Sequence, residues 1–299
     1  IYMSHNNNIQ LTFRMFDMNW IGDNKILVFV GKRNTGKSVL VLDYLFHHQD
    51  LPFCACVSPT DEFNNTYAPH IPNKFIYDTY TPEIIECFLK RQKEISRKKT
   101  AALAGARNVD VRYSKVDPRG LLIMDDCLAD AKIWKNDVGI KWIFMNGRHT
   151  NITLLLTMQY QVGIPPDLRV NVDYIFLCKE TKRTEMDKLW KYYAGMFDNL
   201  DMFKQIHNKM TANHGVMVID NTSNSDKLED QVFYYRAQLR EKGSFRVCYD
   251  KFWENNDYYA KNDLGGGQEE EDPYQRWLET RRGNRPNFDV GIRSNDGRP

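Results

Sequence analysis

Eight consecutive residues, Gly31-Lys32-Arg33-Asn34-Thr35-Gly36-Lys37-Ser38, bring together the groups that a polyphosphate needs. The two glycines let the backbone turn tightly and aim its N–H groups at phosphate oxygens. Lys37 supplies a point charge between phosphates, and the Ser38 hydroxyl is a hard oxygen ligand for Mg2+. A helix opening at Ser38 and Val39 adds its positive end. The competing reading is an ordinary glycine turn with a surface lysine. Further along, Leu121-Leu122-Ile123-Met124 runs into Asp125 and Asp126. Adjacent carboxylates at the end of an apolar run are uncomfortable without a cation. Asp125 then reads as the metal ligand, direct or through water, and Asp126 as the group that orients or deprotonates a water. Asp126 could instead cap a following helix.

Three further signals accompany these. Gln159 follows the apolar run 152–158, where a polar side chain at a strand tip can feel a terminal phosphate and couple its loss to motion. Its alternative is a turn-starting residue. Arg148, within Asn146-Gly147-Arg148-His149, can neutralise transition-state charge in its own site or in a neighbour's. Arg169 and Arg183 compete for that role, and a solvated surface arginine is the plain alternative. Residues 90–119 hold ten Lys/Arg against three Asp/Glu, a local balance of +7 in a chain of net charge +2, which leaves −5 elsewhere. Such a stretch can track a phosphate backbone without reading bases, or can be a solvated charged face.

These groups need a scaffold that delivers them to one place. Continuous apolar runs at 25–30, 53–57, 121–124, 152–158 and 174–178 read as buried parallel strands. Shorter ones at 75–77, 216–219 and 232–235 complete the set. Helical spacing marks 38–48, 82–97, 138–146, 185–193 and 202–210. The basic sequence from 98 to 119 reads as a loop with weak structure. Alternating strands and helices imply an α/β fold with a mostly parallel central sheet and helices on both faces. The glycine loop then joins a strand to a helix, the setting that a phosphate-binding loop requires.

At 299 residues with 42% apolar and 27% charged residues, the chain fits one large soluble α/β domain. It holds no run of the roughly 20 apolar residues that cross a bilayer, and no signal peptide is visible. The six cysteines include no C-x-x-C pair, so zinc is not expected and a reducing compartment is. The expected organisation is an N-terminal extension over 1–20, a P-loop ATPase domain over 21–253 and a flexible tail over 254–299, which holds a break at Gly265-Gly266-Gly267 and then an acidic run.

Taken in order, the glycine loop, Ser58-Pro59-Thr60, Asn65-Thr66-Tyr67, Ile71-Pro72, Asp125-Asp126-Cys127, Asn146-Gly147-Arg148-His149, Thr157-Met158-Gln159 and Phe233-Tyr234-Tyr235 resemble the FtsK–HerA superfamily of P-loop ATPases. Within it, they resemble the genome-packaging ATPases of large eukaryotic DNA viruses and their relatives. The likeness runs from about Ile26 to Ala237. It implies a RecA-like sheet, ATP and Mg2+ as cofactors, and a ring, often hexameric, that pulls double-stranded DNA without sequence specificity. Capsid or portal-like vertex proteins are implied as partners, and the viral assembly site in the host cytoplasm, or the virion, as the location. Gly31 through Val39 match the nucleotide loop, Ser38 and Asp125 the metal positions, and Lys37, Asp126, Gln159 and Arg148 the catalytic ones. Many P-loop motors carry glutamate where Asp126 stands, although similar viral ATPases share the aspartate. Two rival functions remain: an ATPase that orders capsid or membrane without moving DNA, and a small nucleotide kinase, which predicts an arginine-rich lid and no Asp-Asp pair.

Overall fold

The computed structural model describes residues 11–127, 131–159, 163–254 and 256. The expectations for residues 1–10 and for the tail beyond 256 lie outside these. Eight strands, β1 (Ile26–Val30), β2 (Cys54–Val57), β3 (Ile76–Tyr77), β4 (Gly120–Met124), β5 (Ile152–Met158), β6 (Tyr174–Leu177), β7 (Val216–Asp220) and β8 (Val232–Tyr235), form one sheet in the order β3-β2-β4-β5-β1-β6-β7-β8. From β3 to β6 every pairing is parallel, and β7 and β8 close the far side as antiparallel neighbours. The helices are α1 (Lys37–His47), α2 (Asp61–Asn64), α3 (Pro82–Leu103), α4 (Ala131–Trp134), α5 (Val138–Asn146), α6 (Pro166–Arg169), α7 (Arg183–Tyr193), α8 (Leu200–Met210) and α9 (Leu228–Gln231).

The central strands are buried along their whole length, as unbroken Val/Ile/Leu runs must be when both sheet faces are covered. One face packs against α3, α5, α7 and α8 through Ile85, Phe88, Ile140, Phe144, Leu189 and Phe203. The other receives α1 through Leu40, Val41 and Leu45, together with two irregular segments. In the first of these, Phe16 donates its N–H to Tyr234 O (2.8 Å) and packs edge-on against Tyr174, Phe176 and Phe233. The second, after β8, lays Phe245 and Val247 over the same face and donates Val247 N–H to His70 O (3.0 Å).

One local expectation is corrected. Residues 98–103 are not loop: α3 runs on to Leu103, and residues 111–115 form a further helical turn. Lysine, arginine and alanine are good helix formers, Ile95 and Ala102 bury a face, and Lys98 pairs with Glu94 one turn back. The low apolar content of this stretch hid a helix that polar residues propagate well. It ends near Gly105, whose φ of +70° suits glycine.

The register decides where the chemistry sits. β4, β5 and β1 are neighbours, with Met124 opposite Leu156 and Val30 opposite Met158. Gly31, Asp125 and Gln159 therefore leave the sheet side by side at its C-terminal edge, where ligands bind in open α/β sheets.

Candidate nucleotide site

Gly31 anchors the phosphate loop by donating its N–H to Met158 O at 3.0 Å. Only glycine fits there, because a Cβ would lie 2.5 Å from Thr35 Oγ1 and 2.6 Å from Cys178 Cβ. Asn34 and Gly36 take left-handed backbone (φ 61° and 93°) that turns the loop into α1. Thr35 Oγ1 donates to Lys32 O (2.8 Å), Val39 is half-buried in the first turn of α1, and Arg33 and Asn34 stay exposed.

Lys37 Nζ is folded back under this loop, donating to Gly31 O (2.8 Å) and Lys32 O (3.0 Å). It is only 8% exposed, and burial lowers its pKa against the pull of Asp126 and Asp125. Lys32 points the other way. Its Nζ meets Glu180 Oε1 at 2.5 Å, and Glu180 also accepts the N–H groups of Thr181 and Lys182 (2.7 Å each). Burial acts to raise the Glu180 pKa, but Lys32 and the two N–H donors together hold it below the usual carboxylate range.

Asp125 is 4% exposed, and burial raises its pKa, opposed by the hydrogen bond from Thr157 and by the nearby Tyr67 hydroxyl. Thr157 Oγ1 donates to Asp125 Oδ1 (2.6 Å) and accepts the Asp126 N–H (3.0 Å). One hydroxyl thus fixes both acidic residues. Asp126 takes a left-handed backbone (φ 53°), and Gln159 Nε2 donates to its Oδ1. Ser38 Oγ stands 3.5 Å from Asp125 Oδ2.

The donor set fits Mg2+. A serine hydroxyl and a buried carboxylate converge, and both are hard oxygens. Among the described residues no cluster of three or more His, Cys, Asp or Glu could hold a metal. Two protein oxygens beside bound phosphates is the way Mg2+ is usually held.

Arg148 lies in the turn Gly147–Thr150 before β5 begins, whereas the phosphate loop touches the other end of β5. Seven strand residues separate the two by roughly 20 Å. Arg148 therefore lies away from the phosphate loop of its own chain. Arg169 is engaged locally, donating to Ile164 O (3.1 Å) and stacking on Tyr192 and Tyr193. Arg183 opens α7 on the nucleotide edge, exposed and three residues beyond Glu180.

The basic stretch divides into two groups. Arg91 lies over the Phe53 ring (3.7 Å), Lys93 over Trp142 (4.0 Å), Lys98 pairs with Glu94, Arg112 with Asp110, and Arg119 with Asp23, Asp50 and Asp117. Lys90, Arg97, Lys99, Arg107 and Lys115 have no ion pair among the described residues. α3 has 22 residues, about 33 Å, far longer than the strands it covers. Gln92, mid-helix, already donates to Pro118 O, Thr150 O and Asn151 O at the N-terminal edge of the sheet. Beyond Gln92, the end of α3 and the turn 111–115 therefore form an arm at the edge opposite the nucleotide, the side of Arg148, and carry Arg97, Lys99, Arg107 and Lys115.

Two residues of this site escaped the sequence. Thr157 looked like one more β-branched strand residue, and Glu180 a polar residue after a strand; only the facing loop reveals either role. A signal for Arg148 was present: a residue between a helix and the next parallel strand falls at the N-terminal edge.

A phosphate loop between β1 and α1, with a buried aspartate on the neighbouring β4, defines a P-loop nucleotide-binding α/β protein. The family described as Poxvirus A32 protein matches residues 15–251, and the chain belongs to it. An uncharacterized protein of Acanthamoeba polyphaga mimivirus is 39% identical over 226 residues, 76% of this chain and 77% of that one. Another, of Invertebrate iridescent virus 6, is 30% identical over 256 residues, 82% of this chain and 92% of that one. Among solved structures, the genome-packaging NTPase of Sulfolobus turreted icosahedral virus 2, in complex with ATP-gammaS, is similar at 16% identity and a TM-score of 0.44, covering 72% of this chain and 98% of that one. The membership agrees with the resemblance of the motifs to viral packaging ATPases.

Proposed function

We propose that this chain hydrolyses ATP to drive double-stranded DNA into a viral capsid. The observation that carries the reading is the convergence of Lys37, Ser38, Asp125, Asp126 and Gln159 at one sheet edge. Ser38 and Asp125 would hold Mg2+, which would supply charge neutralisation at the phosphates. Lys37 exchanges its two carbonyl partners for phosphate oxygens. Asp126 orients the attacking water and takes its proton. Gln159 shares its amide between Asp126 and the terminal phosphate, so departure of that phosphate changes what holds Asp126. Arg148, or Arg183, supplies the positive charge from a neighbouring subunit of a ring, which the family resemblance makes a hexamer. The unpaired cations of the α3 arm meet the DNA backbone, capsid or vertex proteins receive the ring, and the work is done at the viral assembly site. Among the described residues no helix is long and apolar enough to cross a membrane.

The internal pairing of half the basic stretch favours a second reading, an assembly ATPase that does not move DNA. Hydrolysis measured with and without duplex DNA separates the two. The motor reading expects duplex DNA to raise the rate and Lys37→Ala to abolish it; a rate indifferent to DNA at ring-forming concentrations refutes it, and full turnover by Lys37→Ala refutes the site.

A further inference from the structure

Tyr67 is fully buried, and its hydroxyl has no hydrogen bond of ordinary geometry among the described residues. It is nonetheless close enough to Asp125 and Ser38 to interact with both. Bare buried hydroxyls are uncommon, because each has surrendered its water without a replacement. This one stands where the serine and the carboxylate of the metal site meet.

The loop that carries it is built to hold it there. Asp61, itself buried, accepts N–H groups from Thr66 (2.8 Å), Tyr67 (2.7 Å) and Ala68 (3.3 Å). Asn65 takes a left-handed backbone (φ 48°) that reverses the chain just before Tyr67. Tyr67 O accepts the N–H groups of His70 and Ile71 (2.8 Å each). From outside, the segment after β8 clamps the loop: His70 Nδ1 meets Phe245 O (2.9 Å), and Lys242 Nζ donates to Asn64 O (2.9 Å). A loop with this many ties, delivering one unsatisfied hydroxyl to a cation site, has a purpose beyond packing.

We infer that Tyr67 is a positioning residue for the Mg2+ site: its hydroxyl donates to the Asp125 carboxylate and fixes the orientation in which that group and Ser38 meet the cation of a bound Mg·nucleotide. Thr157 holds Asp125 Oδ1 from the β5 side, and Tyr67 closes the other side from the loop after β2. The inference rests on the proposal that this edge binds Mg·ATP. Partners of a metal-ligating carboxylate set its orientation and basicity, and their loss usually weakens metal binding more than it harms the fold.

Tyr67→Phe keeps the ring and removes only the oxygen. Three measurements on the full chain test it: nucleotide affinity for a fluorescent ATP analogue in EDTA, the same affinity across a Mg2+ titration, and the melting temperature without nucleotide. The expected result is unchanged affinity in EDTA, an unchanged or raised melting temperature, and a Mg2+ requirement for tight binding that rises roughly tenfold. Mn2+ binding followed by electron paramagnetic resonance, with ATP-gammaS present, should weaken in parallel. A Tyr67→Phe protein whose Mg2+ and Mn2+ titrations match wild type overturns the inference alone. A wild-type protein that binds nucleotide with no dependence on Mg2+ overturns both the inference and the proposal beneath it.

Discussion

Thr157→Val is the sharpest perturbation of the site, because it deletes one hydroxyl and preserves shape. That hydroxyl donates to Asp125 Oδ1 at 2.6 Å and accepts the Asp126 N–H at 3.0 Å, in a side chain that is 1% exposed. Valine leaves a buried carboxylate oxygen and a backbone N–H without partners. At about 1–3 kcal/mol for each orphaned group, the cost is about 3 kcal/mol, or about 6–12 °C in melting temperature at roughly 2–4 °C per kcal/mol for a large domain. The pH dependence gives a second readout. Burial raises the Asp125 pKa and the Thr157 bond pulls it down, so the variant should raise it further. A carboxyl whose folded pKa lies above its unfolded value binds more protons when folded. Its effect on stability is then favourable at low pH and is lost as pH rises from the unfolded carboxylate range through the folded pKa. The loss should be steeper in Thr157→Val, and its Mg2+-dependent nucleotide affinity should need a higher pH to develop. Thr157→Ser, which keeps the hydroxyl, should sit near wild type in both assays. If Thr157→Val melts like wild type and binds Mg·nucleotide with the wild-type pH profile, the clamp does not orient the two aspartates and the account of the site is wrong.

Other outcomes follow from the same geometry. Asp126→Asn should lower kcat by about 10²–10⁴-fold while Mg·nucleotide affinity holds; loss of affinity instead would make Asp126 a ligand rather than a base. Converting Arg97, Lys99, Arg107 and Lys115 to glutamine should leave DNA-free hydrolysis unchanged and flatten the salt dependence of DNA binding, by as much as roughly 3–4 in log–log slope if each meets a phosphate. An unchanged slope moves the DNA contact elsewhere. Arg148→Ala should cost about 10³-fold or more in kcat if it acts across a subunit boundary, and mixing it with Lys37→Ala protein should restore hydrolysis at interfaces that combine intact halves. Wild-type hydrolysis by Arg148→Ala alone passes the role to Arg183.

The strands that build the site were legible because sheets covered on both faces demand unbroken apolar runs, and those runs stop where the chemistry starts. Gly31, Asp125 and Gln159 each follow such a run directly, and β1, β4 and β5 proved to be neighbours. The side chains that orient the site were not legible for the same reason. Thr157 is a β-branched residue inside a strand, and nothing in its own surroundings says that its hydroxyl faces two carboxylate-bearing residues instead of lipophilic packing. Tyr67 stood in a motif without a chemical role until the Asp61 turn placed it. The α3 extension failed differently: apolar periodicity fades after Ile95, but helix propensity does not, and the Glu94–Lys98 pair carries the helix on.

Under the proposed function, the placement of Arg148 and the α3 arm bears on how force would be transmitted. Nucleotide and arm lie at opposite ends of β4 and β5, and both ends are locked. At the arm end, Gln92 spans Pro118 O and Asn151 O, and a Cβ on Gly120 would lie 2.5 Å from its amide and displace it from these bonds. At the nucleotide end, Thr157 ties β5 to Asp125 beyond β4. A parallel strand pair hydrogen-bonded along its whole length and buried on both faces does not bend by ångströms when one amide changes partner. If the chain works as the motor proposed above, loss of the terminal phosphate at Gln159 would therefore move the arm only by turning the subunit as a rigid body against its neighbour, about the boundary where Arg148 or Arg183 would meet the nucleotide. On this account the step is set at the subunit interface, and a substitution that stiffens the α3 arm without touching its cations should leave DNA-stimulated hydrolysis intact.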